Sequence, residues 1–252
     1  MPATDRLLRE RDFHDQQAQS RSLTFACHPE RLSFSDAAYL DHETWVRPAF
    51  ARLGDVRGKN VLDWGCGHGM AAIVLARRGA TVTACDLSAG YIAEARTRAR
   101  ANGVAIRCLA ADAQRLPCAG ESFDAVWGHA ILHHLVVPLA ARELRRILRP
   151  GGVAVLCEPW NGNPLLRLAR RWLPGHTPDE EPLGPADVHE LRAVFDRVEM
   201  EGYQLLAMLR RATPGSRLRT ALARQDERLL VRRPRLQRYC RYVVITLRRN
   251  RN

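Results

Sequence analysis

The sequence predicts an α/β fold, a Rossmann-like doubly wound sheet that is mostly parallel with a late antiparallel strand and has helices on both faces. Three observations predict it. Short apolar, β-branched runs alternate with helical segments between residues 60 and 158. A glycine turn, Gly65-x-Gly67-x-Gly69, joins the first of these runs to the first helix. After Glu158 the rhythm changes, and two late runs, 197–208 and 240–248, read as the closing strands.

Each element has its own signal. Residues 1–38 read as polar and irregular, with a short helical stretch near the start. Leu40, Trp45, Val46, Phe50 and Leu53 share one face of a helix over 40–53, with Asp41 as its cap. Val61-Leu62 is a strand ending at Asp63, and Gly79 closes the helix that follows the glycine turn. Residues 80–86 form the second strand. Ser88 caps a helix over 89–101 that stops at Asn102-Gly103. Residues 104–110, 123–128 and 153–157 supply three more strands, with a helix over 138–148 before the Pro150-Gly151-Gly152 turn. Helices are expected over 185–195 and 215–231, and a short one within 160–183. Nothing divides the chain, so one domain is expected: a cap over 1–58, a cofactor-binding core over 59–158, and acceptor-side insertions with the last strands over 159–252.

The glycine spacing is tighter than the G-x-G-x-x-G of dinucleotide sites, where a helix N-terminus meets a pyrophosphate. Entered through Asp63, the loop suits a ligand with a cationic or amino-acid end: the carboxylate holds an ammonium and loop amides hold a carboxylate. Asp86, at the end of the second strand, stands where an acid accepts ribose hydroxyls. Asp112, after the third strand, stands where an acid meets an adenine amino group.

The segments VLDWGCGHG, CDLS, ADAQRLPCAGESFDAVWGHAILHHL and ILRPGG, in that order, resemble the class I S-adenosylmethionine-dependent methyltransferases. The similarity covers residues 60–158 and leans toward the small-molecule branch, with its ubiquinone, menaquinone and natural-product enzymes. It implies S-adenosylmethionine as cofactor and a small-molecule acceptor, with a hydroxyl of a specialised metabolite as the expected target. It places Asp63, Gly65, Cys66, Gly67 and Gly69 along the methionine moiety, Asp86 and Leu87 on ribose and one adenine face, and Asp112 and Ala113 on adenine. His129 falls behind the methionine part. A hydroxyl acceptor calls for a base, and the resemblance points to His133 and His134, with Glu158 as the acid at the end of the fifth strand. Relatives that use a metal carry carboxylates where Ala130 and His133 stand here, so no metal is expected. In relatives a leader such as residues 13–21 folds over the cofactor, which makes His14, Gln17 and Arg21 candidate contacts. Residues 176–183 are a candidate acceptor lid. The alternatives are an RNA methyltransferase and a member that binds the cofactor without transferring methyl, such as a cyclase.

Composition narrows the classes. A chain of 252 residues with 46% hydrophobic and 26% charged residues is ordinary for a globular fold. It contains no apolar run long enough to span a bilayer. Seven cysteines without a C-x-x-C pair, behind a leader with no apolar core, read as reduced thiols of a cytoplasmic protein. The net charge of +12 lies wholly in residues 205–252. The plain expectation for the basic stretch 210–235 is a solvated helix, with an anionic membrane or an acidic carrier as possible contacts. Nucleic acid ranks last, because the rest of the chain adds no net positive charge.

Overall fold

The computed structural model describes residues 3–164, 167–168, 182–208 and 216–251. The chain opens on α1 (Ala3–Cys27), followed by α2 (Asp36–Leu40) and α3 (Val46–Ala51). The alternating core then runs β1 (Asn60–Trp64), α4 (Met70–Arg77), β2 (Thr81–Asp86), α5 (Ala89–Ala101), β3 (Arg107–Ala110), β4 (Phe123–His129), α6 (Val137–Ile147) and β5 (Leu148–Pro159). It closes with α7 (Pro185–Val194), β6 (Arg197–Tyr203), α8 (Ser216–Arg232) and β7 (Tyr242–Arg248).

The seven strands lie in the order β3-β2-β1-β4-β5-β7-β6. The β1–β5 pairings are parallel, and β7 is antiparallel to both β5 and β6. Alternate residues face opposite layers. Leu62, Trp64, Val126, Ala154, Leu156 and Ile245 pack toward α6 and α7, while Val61, Val82, Ala125, Trp127, Val155 and Val244 pack toward α2, α3 and α4. With both faces covered, the central strands are apolar throughout, which is why they read as runs rather than as alternating patterns. Successive strands are added outward on one side up to β3 and then on the other side from β4, so the strand order switches between β1 and β4. In open α/β sheets the crevice at such a switch point takes the ligand.

Two expectations at the N-terminus need correcting. Residues 3–27 form one long helix rather than an irregular leader with a short helical stretch. α1 holds to α5 through polar groups: Asp15 accepts from the Ser88 hydroxyl and, at 3.0 Å, from the Gly90 amide. The Tyr91 hydroxyl donates to Gln17 at 2.6 Å, and Arg21 pairs with Glu94 at 2.9 Å. An apolar-period search misses a helix docked by polar contacts. The expected helix over 40–53 is two short helices separated by a turn over 41–45. Asp41 caps neither. Its carboxylate instead takes both Arg47 Nε, at 2.5 Å, and a second guanidinium N–H at 2.7 Å.

Elsewhere the expected elements stand within a few residues of their predicted bounds, except that the strand expected over 197–208 ends at Tyr203 and the strand expected over 153–157 begins at Leu148 and takes in Pro150-Gly151-Gly152. The expected lid over 176–183 falls almost wholly outside the described residues, as does most of the short helix within 160–183. In α8, Leu230 is buried while Leu218, Arg224, Arg228 and Arg232 are exposed. No helix among the described residues is long and apolar enough to cross a membrane.

Candidate active site

The glycine turn shapes one wall of a cavity of about 180 Å³ at the carboxyl ends of β1, β2 and β4. Gly65 has φ +68° and sits against Ile131, whose side-chain carbons would lie 2.7–2.8 Å from a Cβ there. Gly69 precedes α4 with φ +79°, and a Cβ on it would come within 2.7 Å of that of Ala95. Both positions therefore require glycine, for backbone conformation and for close approach. The opposite wall is His129, Ala130, Ile131, His134 and Leu135. Leu87, Tyr91, Asp112 and Ala113 line a third side, and Glu10 and His14 of α1 close the top. Ala130 holds φ +56°, which turns the chain off β4 and folds residues 131–134 across the strand ends.

Asp63, Cys66 and Gly69 do not line the cavity but lie beneath the turn. Asp63 is buried and accepts the Ala72 amide at 2.9 Å. Burial, with the nearby Asp86 charge adding to it, pushes its carboxyl up to about 7. Asp86 lines the cavity and also braces the turn: its oxygens accept the Gly67 amide at 2.8 Å and the Ser88 amide at 2.9 Å. Burial raises its carboxyl even so. Asp112 accepts the Gln114 amide at 2.8 Å. Burial pushes the Cys66 thiol well up, so it stays protonated.

Imidazoles dominate the rest. Burial, with neighbouring positive groups adding to it, pulls His129 down to about 4 and His68 to about 3. Both are neutral at physiological pH. Trp45 packs edge-on against His129 at 4.7 Å, and His42 stacks on the same ring at 5.9 Å. His133 and His134 are in contact, with ring centroids 4.1 Å apart. His134 Nδ1 lies 3.2 Å from Glu10, which also faces His14. Burial alone would raise Glu10, but hydrogen bonds from the two histidines hold it well below the usual carboxylate range.

His133 does not line the cavity. Its Nδ1–H donates to Glu158 at 2.7 Å. Glu158 is fully buried at the end of β5 and accepts the Ile131 and Leu132 amides at 3.0 and 2.8 Å. Burial would raise its carboxyl, but these three bonds and the His133 interaction hold it below the ordinary value. One carboxylate thus fixes the shape of the 131–134 turn and the tautomer of His133.

The cavity therefore brings together Gly65, Gly67, Asp86, Leu87, Asp112, Ala113, His129 and His134 of the expected set, with His133 and Glu158 joined behind it. Of the α1 candidates only His14 reaches it; Gln17 and Arg21 bind α5. Glu10, Tyr91 and Leu135 are walls that sequence reasoning missed. Glu10 is one turn before His14 on α1, a signal visible only once the leader is read as a helix.

The cavity lies at the carboxyl ends of the strands of an open α/β sheet, and comparison with known proteins gives the family of the domain. Residues 62–156 match the model of the methyltransferase domain family. A ubiquinone biosynthesis O-methyltransferase of Ruegeria pomeroyi is 32% identical over 189 residues, covering 70% of this chain and 73% of its own. One of Dinoroseobacter shibae is 36% identical over 132 residues, covering 49% of this chain and 53% of its own. Two further curated relatives are spanned over 63% and 64% of their length. A solved S-adenosylmethionine-dependent methyltransferase from Mesorhizobium loti superposes with TM-score 0.60 at 22% identity, covering 83% of this chain and all of that one, and so shares the fold. The chain belongs to the class I S-adenosylmethionine-dependent methyltransferases, in their small-molecule branch.

Proposed function

We propose that the chain transfers the methyl group of S-adenosylmethionine to a hydroxyl of a small-molecule acceptor. The observation that carries this reading is the charge character of the cavity. Its described walls hold Glu10, Asp86 and Asp112 and the neutral ring of His129, with no lysine or arginine among them. Such a lining favours a cationic, hydroxyl-rich ligand over a pyrophosphate. When bound, the sulfonium supplies an electrophilic methyl, and its transfer needs in-line alignment with the acceptor oxygen. Asp86 and Leu87 would hold the ribose, Asp112 and Ala113 the adenine, and the Gly65–Gly69 turn over Asp63 the methionine end, with His129 behind it. The cavity is smaller than the ~300–1,000 Å³ usual for ligand sites, because Glu10 and His14 reach across toward His134. The ligand therefore enters with α1 displaced, and α1 closes water out once it is bound.

The 131–134 turn supplies the base. Glu158 keeps the proton of His133 on Nδ1, which leaves Nε2 as the acceptor for a hydroxyl proton. His134 stands beside it on the cavity wall. Methyl transfer to oxygen is also the chemistry in the names of the ubiquinone-pathway relatives. The test is transfer of labelled methyl from S-adenosylmethionine to a panel of phenols and hydroxylated polyketides, with release of S-adenosylhomocysteine. Labelled ether products support the reading. Tight binding of S-adenosylmethionine with no labelled product from hydroxyl, amine or carbon acceptors would turn it toward a non-transferring member.

A further inference from the structure

The net charge of the chain has one place in the fold. All +12 lies in residues 205–252, where the only acids are Asp226 and Glu227. Asp226 is buried, and its carboxylate accepts the Leu206 and Ala207 amides at 2.6 and 2.9 Å. Glu227 is therefore the one exposed acid of α8.

The arginines of α8 stand apart from others on the surface. Arg77 pairs with Asp36 at 2.8 Å, Arg145 with Asp196 at 2.9 Å and Arg149 with Asp124 at 2.9 Å. Arg224, Arg228 and Arg232 are exposed and four residues apart, so they form one stripe along the helix, while Asp226 and Leu230 turn inward. Arg233 and Arg235, also exposed, carry the charge on to the 3-10 helix Pro234–Tyr239. Among the described residues none of these five arginines has an ion pair or a side-chain hydrogen bond.

Like charges set one turn apart repel, and an anionic partner removes that cost. The stripe runs along a rod of 17 residues, about 25 Å long. Charge spread in this way suits a plane of negative charge. Two apolar side chains flank it in the open, Val231 at 75% exposure and Leu218 at 48%. The interface of an anionic bilayer takes both kinds of side chain at once. Nucleic acid fits less well. α8 has no aromatic residue on which a base could stack, and the nearby Tyr239 ring lies under the Arg238 guanidinium at 4.6 Å.

The connections of α8 give the stripe a functional position. β5 and β6 are both antiparallel to β7, so they run in the same direction, and Pro159 and Tyr203 are both register partners of Tyr242. The segment that contains α8 therefore leaves and rejoins the sheet at the carboxyl ends of β5 and β6. That is the edge of the sheet that carries the cofactor cavity.

We propose that α8 docks the protein on an anionic lipid bilayer through the stripe of Arg224, Arg228 and Arg232, with the cavity edge of the sheet held at the membrane. Docking goes beyond the methyl-transfer reading and does not depend on it. Together the two place the enzyme beside a store of apolar hydroxyl acceptors.

The test is flotation of the full chain with two kinds of vesicle, at an ionic strength of about 0.15 M. One is phosphatidylcholine alone, and the other is two parts phosphatidylcholine to one part phosphatidylglycerol. The protein should float with the mixture and not with phosphatidylcholine alone. Arg224→Gln, Arg228→Gln and Arg232→Gln combined should weaken binding on the order of 100-fold, at about fivefold for each arginine near an anionic surface. Arg224→Lys, Arg228→Lys and Arg232→Lys combined should keep most of it, because the plane reads charge rather than a guanidinium fork. All three positions are exposed, and melting temperatures equal to that of the parent show that both variants fold. Polyuridine RNA and polyglutamate, at the same concentration of negative charge, should bind more weakly than the mixed vesicles. Equal binding to both kinds of vesicle, no binding to the mixture, or tighter binding to either soluble polyanion would overturn the proposal. So would a glutamine variant that binds like the parent, or a lysine variant that binds no better than the glutamine one. No cofactor or acceptor enters the measurement, so a failure of methyl transfer leaves its outcome unaffected.

Discussion

Replacing Glu158 separates its effect on the fold from its effect on the reaction. Its Oε1 takes two backbone amides and its Oε2 takes His133 Nδ1–H. Glu158→Ala leaves three buried donors without an acceptor, and breaking a buried pair of this kind costs about 3–5 kcal/mol. For a chain of this size that is on the order of 10 °C in Tm. Glu158→Gln behaves differently. The amide oxygen stays on the two backbone N–H groups, because a flipped amide would face them with its own donors. The NH2 then faces His133, whose Nδ1 becomes the acceptor, and the ring proton moves to Nε2. The base is thereby lost with the turn intact. Glu158→Gln should keep most of the thermal stability and the affinity for S-adenosylmethionine, while kcat falls by about 10²–10⁴. Because Glu158 titrates below its unfolded value, its stabilisation is full above the unfolded carboxylate pKa and is lost as pH falls through the folded one. The Gln variant should lack that part of the acid limb in a series of melts. A Glu158→Gln protein with unchanged turnover would refute the role of His133 and pass it to His134.

Further outcomes follow from the same geometry. Asp63 titrates near 7 when folded, so the native state holds its proton longer than the unfolded chain, and this group lowers stability as pH rises from about 4 to 7. Asp63→Asn should raise Tm at pH 8 relative to the parent and flatten the pH dependence of melting over that window. Gly69→Ala should cost about 2–4 kcal/mol in chemical denaturation, from the left-handed φ and the contact with Ala95. Asp15→Ala removes the side chain that holds α1 to the start of α5, and amide exchange along α1 should speed up while the sheet stays protected.

The alternating core was legible because its signals are local. Glycine stops, the Ser88 cap and short β-branched runs fix their elements with little tertiary help. The Ser88 hydroxyl does accept the Tyr91 amide at 3.0 Å, as a cap should. What was not legible depends on long-range partners. α1 has little apolar periodicity, and its registry is set by Ser88, Gly90, Tyr91 and Glu94 of α5, more than sixty residues away in sequence. The positive φ of Ala130 and Gln204 leaves no mark in the sequence, since neither is the residue that such a backbone favours. The candidate site divides in the same way. The turn, Asp86 and Asp112 follow from motif spacing, whereas Glu10 enters only through the docking of α1. The resemblance offered Glu158 as an acid, and the structure gives its one carboxylate both a histidine and the backbone amides of the 131–134 turn.

The proposed function requires the cavity at the ends of β1, β2 and β4 to hold S-adenosylmethionine through Asp86. Calorimetric titration of S-adenosylmethionine into the parent chain and into Asp86→Ala tests it most directly, with Tm measured alongside because Asp86 also braces the Gly67 amide. Saturable one-to-one binding to the parent is expected. The variant should lose about 2–4 kcal/mol of binding, the scale of charged hydrogen bonds removed, with the protein still folded at the assay temperature. Unchanged affinity in a folded Asp86→Ala protein, or no binding to the parent, would contradict it.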